Sequence, residues 1–238
     1  MTQRSAISRW ITRFNAGDGR LKRATLKVSY YAFIVLPYPL RRVATAAFII
    51  VVLAIKRLTG VEKRNELTPL ADVGTLSFWG VPEVDVHSFT LTIDGEVDHP
   101  VVLRYDQVLE LPAVDRTVRM DCVGGFRNNI EMKGVTLAHL FCLSQTRGSA
   151  CRAVFHCADG YSESIPLVEL LQHEAFLAYS VNGEHVAKLG YPLRLAVPGK
   201  YGYKWAKWVR RVQLVADERK GHWEQRGLPD RANVGDIW

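Results

Sequence analysis

The chain has 238 residues, 48% of them hydrophobic, which is enough to bury a full core and excludes disordered and fibrous classes. Its formal charge of +7 is uneven: the first 42 residues carry nine Lys/Arg against one acid, Asp18, which leaves a net −1 for everything after them. That asymmetry points to an anionic membrane surface or a targeting role and away from a nucleic-acid partner.

In chain order, the first apolar run is Ser29 to Leu40, interrupted by Pro37 and Pro39. Val43 to Ile55 follows, thirteen residues without a charge, bracketed by Arg41-Arg42 and Lys56-Arg57. A spanning helix usually needs about 20 apolar residues, so three readings stay open. They are a short or tilted anchor, a twin-arginine export signal in "LRRVATAAF", and a helix packed on the globular part. No A-x-A cleavage site follows, which favours retention, and the positive charge before the segment would hold the N-terminus in the cytoplasm and send the rest across. Lys56 to Asp72 is polar and mixed and reads as a linker. The expected division is therefore 1–72, a basic region with an apolar segment at 43–55 and a linker, and 73–238, a globular domain.

From Ser88 the pattern turns to period two: Phe89, Leu91 and Ile93 alternate with Thr90, Thr92 and Asp94 until Gly95. That is a half-buried strand. A short helix is expected over Tyr105 to Leu111, closed by Pro112. Val114 to Cys122 alternates again, with Val118, Met120 and Cys122 on one face and Thr117, Arg119 and Asp121 on the other. Cys122 thus falls at a strand tip, and Gly124-Gly125 breaks the run behind it. Thr136 to Leu143 has helical spacing with Gly148 as its stop. Arg152 to Cys157 and Tyr161 to Ile165 flank Asp159-Gly160, a hairpin signal. "PLVELL" from Pro166 is a short helix, Ala175 to Val181 meets a second turn at Asn182-Gly183, and Leu193 to Val197 and Trp208 to Val215 are further strands. Short strands with small interposed helices give an α+β, β-rich domain.

Few residues carry chemistry by pattern alone. Cys122, Cys142, Cys151 and Cys157 lack paired C-x-x-C spacing, so a zinc site is disfavoured; in an exported domain Cys151 would bridge to Cys157 or to Cys142. The seven histidines show no metalloprotease or triad spacing and read as surface or packed residues. A lone cysteine beside two glycines is either a buried apolar residue or a soft metal ligand whose other ligands come from a cofactor. In Leu189 to Val212, Arg194, Lys200, Lys204 and Lys207 interleave with Tyr201, Tyr203, Trp205 and Trp208. This mixture suits a phosphate site, a base-stacking platform, or simply a core with lysines in water.

Taken together, "FTLTIDGEVDHPVVLRYDQVLELP…VRMDCVGGFR…MKGVTLAHLF", "DGYSESIPLVELL", "GYPLRLAVPGKYGYKWAKWV" and the tail "GHWEQRG" resemble the molybdopterin-binding domain of the sulfite oxidase family. Relatives in it include the periplasmic methionine sulfoxide reductase catalytic subunit. The resemblance runs from about Leu76 to Gly227. It implies a Mo-molybdopterin cofactor with Cys122 as the protein's thiolate ligand to molybdenum. It further implies Tyr161 as an active-site tyrosine and Arg127 as an attractor of a polar or anionic substrate. Cofactor contacts are implied at Arg194, at Trp205, Ala206 and Lys207, at Cys157, and by a looser alignment at Phe78 and Trp79 near Ser77. Phe126 stands where relatives often have tryptophan, and Leu189 where they often have His or Asn.

The activity implied is two-electron oxygen-atom transfer on a small sulfur-containing or oxyanion substrate. No haem motif is visible, so electrons would pass to a separate partner, with a membrane b-type cytochrome as a candidate. The domain would sit on the periplasmic side of the membrane, the alternative being a soluble periplasmic or cytoplasmic protein. The competing function is a non-catalytic domain of the same fold that binds a lipid surface or nucleic acid through Lys200 to Lys207.

Overall fold

The computed structural model describes residues 20–60 and 65–236. The chain begins with a helical hairpin, α1 (Arg20–Val35) and α2 (Tyr38–Thr59). Pro37 separates the two helices, sitting at the N-cap of α2 with extended backbone, and Gly60 ends α2 in the left-handed conformation (φ 66°). The apolar segment expected at 43–55 is the middle of this longer, 22-residue helix. α2 packs one side on the rest of the molecule through Thr45, Ile49, Val52 and Lys56, all buried. Its other side leaves Val43, Ile50, Val51 and Leu58 exposed.

The segment expected to be a linker is partly structured. Lys56 and Arg57 belong to α2, and the backbone of Thr68 donates to Asn129 O at 2.7 Å. Residues 61–64 lie outside the described part.

Two sheets carry the domain. One has five strands in the order β2-β1-β9-β5-β6: β1 (Thr90–Gly95), β2 (Val101–Arg104), β5 (Arg152–Cys157), β6 (Ser162–Pro166) and β9 (Val209–Val215). All its pairings are antiparallel except β1 with β9. The other has four antiparallel strands in the order β3-β4-β7-β8: β3 (Ala113–Asp121), β4 (Arg127–Thr136), β7 (Phe176–Val181) and β8 (Arg194–Ala196). Helices α3 (Tyr105–Glu110), α4 (Leu137–Leu143) and α5 (Leu167–Gln172) fill the connections. Buried residues from both sheets form one continuous core, as an α+β domain requires.

Several local expectations need correction. α4 is capped by Thr136, whose side chain accepts from His139 N, and it ends at Leu143, five residues before Gly148. Asn182-Gly183 does turn, with both residues at positive φ, but the chain after it does not return as a paired strand; β7 meets β8 instead. All four cysteines are free thiols, so neither expected bridge is formed. β4, the longest strand, escaped the alternation test because Gly134 carries a register shift against β7. A Cβ there would sit 2.1 Å from Leu177 O.

Candidate active site

β3 and β4 form a hairpin paired up to Asp121 and Arg127, and the five residues 122–126 close it. Cys122 N donates to Phe126 O at 3.0 Å and Gly125 N to Cys122 O at 3.1 Å, with Gly125 at φ 92°. This tight turn holds Cys122 at the strand tip, and the N–H of Gly124 donates to its Sγ at 3.2 Å. Burial raises the thiol's pKa, while this N–H and the nearby Lys56 and Lys207 charges act the other way. Such a sulfur is readily deprotonated by a soft metal ion and poorly by water alone.

Cys122 opens on a cavity of about 510 Å³. Its walls include Tyr161, Arg194, Trp205, Ala206 and Lys207, together with Ser77, Phe78 and Trp79. Of the ten residues expected at the site, eight therefore share one cavity: these seven besides Ser77, and Cys122. Arg127 and Cys157 are not among its walls. The Arg127 guanidinium is held instead by Asp121, with Nε 2.9 Å from Oδ1, and that ion pair is buried. Asp121 itself, expected on the solvent face of β3, is 1% exposed because Lys56 of α2 reaches the same oxygen at 3.0 Å.

The cavity's charge fits an anionic cofactor. Arg194 is buried, its Nε has no partner, and the guanidinium's hydrogen bond runs from Nη1 to Leu189 O. Burial pushes its pKa down to about 10. Lys207 donates to Thr75 Oγ1, Leu76 O and Ser77 Oγ at 2.7–3.0 Å. Burial and the Arg194 charge push its pKa down to about 7. Two cations facing one cavity, one of them with an orphaned N–H, describe a place for a phosphate-bearing group. The glycines keep the approach open: a Cβ on Gly190 would lie 2.8 Å from Arg194 Cβ, and one on Gly202 2.8 Å from Met120 Sδ.

Lys200 and Lys204 behave differently from the expected basic surface. Both are buried and paired, Lys200 with Glu169 and Lys204 with Glu163 and Glu224. No patch for a lipid or nucleic-acid partner exists where that alternative placed it, because acids distant in sequence neutralise these lysines.

The sequence reading missed the cavity's roof. Tyr30 and Phe33 of α1 and Thr45, Phe48 and Ile49 of α2 line it. Tyr30 is the pivot: its ring packs on Phe78, Trp79, His222 and Trp223, and its hydroxyl accepts from Arg226 Nε at 2.8 Å. Burial and Arg226 push the His222 pKa down to about 4, so this ring is neutral at pH 7. The tail "GHWEQRG" is more than a family signature: His222, Trp223 and Arg226 are where the hairpin's Tyr30 seats.

Comparison with known proteins decides the family. The oxidoreductase molybdopterin binding domain matches residues 78–223. The chain belongs to this family. It is 31% identical over 156 residues to the uncharacterized oxidoreductase YuiH of Bacillus subtilis, covering 65% of this chain and 77% of that protein. It is 32% identical to a putative protein-methionine-sulfoxide reductase subunit, YedZ1, of Azospira oryzae, over 62% of this chain and 56% of the relative. Human mitochondrial sulfite oxidase is 28% identical, over 68% of this chain and 35% of the enzyme. Among solved structures, the sulfane dehydrogenase SoxCD of Paracoccus pantotrophus aligns with a TM-score of 0.61 at 25% identity, over 67% of this chain and 46% of that one. The chain thus spans about half or less of several relatives' length. The family is that of molybdenum oxidoreductases with the sulfite oxidase fold, and its cofactor is Mo-molybdopterin.

Proposed function

We propose that this chain catalyses two-electron oxygen-atom transfer on a small sulfur-containing substrate or oxyanion, with Cys122 as the protein's ligand to molybdenum. The observation that carries the reading is the shared cavity: a thiol on a rigid turn, a tyrosine hydroxyl and two poorly neutralised cations line one space. The Mo-molybdopterin cofactor, when bound, would supply the two-electron redox chemistry. Arg194 and Lys207 would hold the cofactor's phosphate, and Trp205 and Ala206 wall the same side. Tyr161 would orient substrate oxygen, while the aromatic roof excludes water.

The sulfur chemistry is supported by relatives named for methionine sulfoxide, sulfite and sulfane. A separate electron-transfer partner is supported by the relative named as a subunit, and a membrane b-type cytochrome is the candidate. Membrane association on the periplasmic side rests on α2, whose Tyr38–Leu58 stretch has a mean hydropathy of 1.7 and whose outer side is apolar. Since Thr45, Ile49, Val52 and Lys56 of α2 are also buried against the domain, we place the hairpin between domain and lipid.

The test is purification with cofactor, then turnover of sulfite and of methionine sulfoxide with dye electron carriers. Molybdenum near one per chain with turnover of either substrate supports the reading; a metal-free, pterin-free protein from a host that makes the cofactor contradicts it.

A further inference from the structure

Tyr161 has one hydroxyl proton and two acceptors. Its Oη lies 2.7 Å from Glu163 Oε2 and 2.7 Å from the carbonyl oxygen of Tyr203, and both distances are those of full hydrogen bonds. A carbonyl carries no proton. If Tyr161 donates to Tyr203 O, the contact with Glu163 must be donated by the glutamate; otherwise one buried acceptor faces a lone pair. Glu163 Oε1 is already occupied by two donors, Ser164 N at 3.0 Å and Lys204 Nζ at 3.0 Å. The oxygen left to carry a proton is therefore Oε2, the one that faces Tyr161.

A second carboxyl group points the same way. Glu224 is 2% exposed and neither of its carboxyl oxygens has a hydrogen bond. Oε1 lies 2.7 Å from Lys204 Nζ, an ion-pair contact without hydrogen-bond alignment. Gly221 shows how tightly the two glutamates are set: a Cβ there would sit 2.5 Å from Glu163 Oε1 and 2.5 Å from Glu224 Oε2. Both acids share one ammonium, that of Lys204, which Asp230 Oδ1 also reaches at 3.4 Å. The other buried cation nearby, Arg152, is committed to Asp230 at 2.9 Å and to Glu218 at 3.2 Å. Two carboxylates on one lysine would leave an excess negative charge in a dry interior, and one proton between them removes it.

We propose that Glu163 and Glu224 hold a single proton between them and that Tyr161 relays it to and from the cavity. The relay rests on the catalytic reading of that cavity. Each transfer balances without electrons. Once its O–H turns from Tyr203 O, Tyr161 gives its hydroxyl proton to an acceptor in the cavity and Glu163 Oε2–H gives its proton to Tyr161 Oη; both glutamates are then ionised beside Lys204 until a proton from water returns to the pair. Reduction of a sulfoxide to a sulfide and water takes up two protons with two electrons from the redox partner, and oxidation returns them, so one relay serves either direction. Facing the pair are Lys204, Tyr161 and Tyr203, with Asp230 3.4 Å from the Lys204 ammonium and itself paired with Arg152 at 2.9 Å. Glu163 and Glu224 are positioning and relay residues; only Tyr161 lines the cavity.

Infrared titration of the purified full chain reads the proton directly, through the carbonyl stretch of a protonated carboxylic acid near neutral pH. The wild type should show this band. Either Glu163→Gln or Glu224→Gln should abolish it, because one glutamate then remains on Lys204 and the third acid at that ammonium, Asp230, is compensated by Arg152. The Cys122→Ser chain should keep it, so the measurement stands even if the cofactor assignment fails. In the cofactor-loaded enzyme Glu224→Gln should lower turnover at pH 7 by about tenfold to hundredfold and shift its pH profile, with molybdenum retained. A wild type without the band, a band unchanged in both glutamine variants, or wild-type pH dependence in Glu224→Gln overturns the proposal.

Discussion

Lys56 Nζ of the hairpin lies 3.0 Å from Asp121 Oδ1, and the two side chains are 2% and 1% exposed. Asp121 is the residue before Cys122, so the seat of the N-terminal hairpin and the placement of the metal-ligand candidate meet at one carboxylate. Arg127 shares that oxygen at 2.9 Å, which leaves the charge compensated if Lys56 is lost. Lys56→Met should therefore cost about 1.5–3 kcal/mol, the usual range for a hydrogen bond to a charged group, rather than the larger penalty of an unpaired buried ion. Denaturant midpoints check the magnitude, and faster proteolysis within residues 20–60 checks that the hairpin has loosened.

Tyr161→Phe keeps the ring in the cavity wall and removes the hydroxyl that meets Glu163 and Tyr203. Turnover should fall about a hundredfold or more with molybdenum content unchanged. Loss of metal in this variant would instead make Tyr161 a cofactor anchor.

The pKa of Lys207 is pushed down to about 7 from an ordinary 10.5. Between those values the unfolded chain binds more protons at this lysine than the folded one, so the stability of the cofactor-free protein should rise with pH across that window. Below pH 7 the full penalty of the buried charge is present. Lys207→Met should therefore raise the melting temperature of the cofactor-free protein most at or below pH 7, with the advantage fading toward pH 10. It should also weaken cofactor retention. Melting curves of both proteins across this range provide the check.

How much of this was legible in the sequence follows from where each signal originates. β1 and β3 were readable because Leu91, Ile93, Val118 and Met120 alternate strictly into the core. β4 was not, since Asn128, Asn129 and the bulge at Gly134 break the period, although both asparagines are buried. Lys200 and Lys204 looked like a solvated basic face. What buries them is acids at positions 163, 169 and 224, and no local pattern reports pairings across such separations. Arg127 was expected to meet substrate; a buried Asp121 captures it first. The hairpin's packed face was hidden because α2 is apolar nearly all round, so its composition alone does not tell lipid from protein contact.

The outer side of that helix supplies a separate test. Val43, Ile50 and Val51 are 51–67% exposed. Replacing Val43 and Ile50 together by glutamine should reduce flotation with vesicles by about tenfold or more, since it removes apolar contact area from the outer side of α2 without adding charge. Cavity residues are untouched, so molybdenum content should not change. Undiminished flotation would show that another part of the chain meets the lipid.

The thiolate ligand is tested most directly by X-ray absorption at the molybdenum edge of purified wild type and Cys122→Ser. The wild type should show one more sulfur neighbour at the metal than the variant, and the variant should lose turnover. An identical sulfur shell in the two proteins, with equal turnover, would contradict the assignment of Cys122.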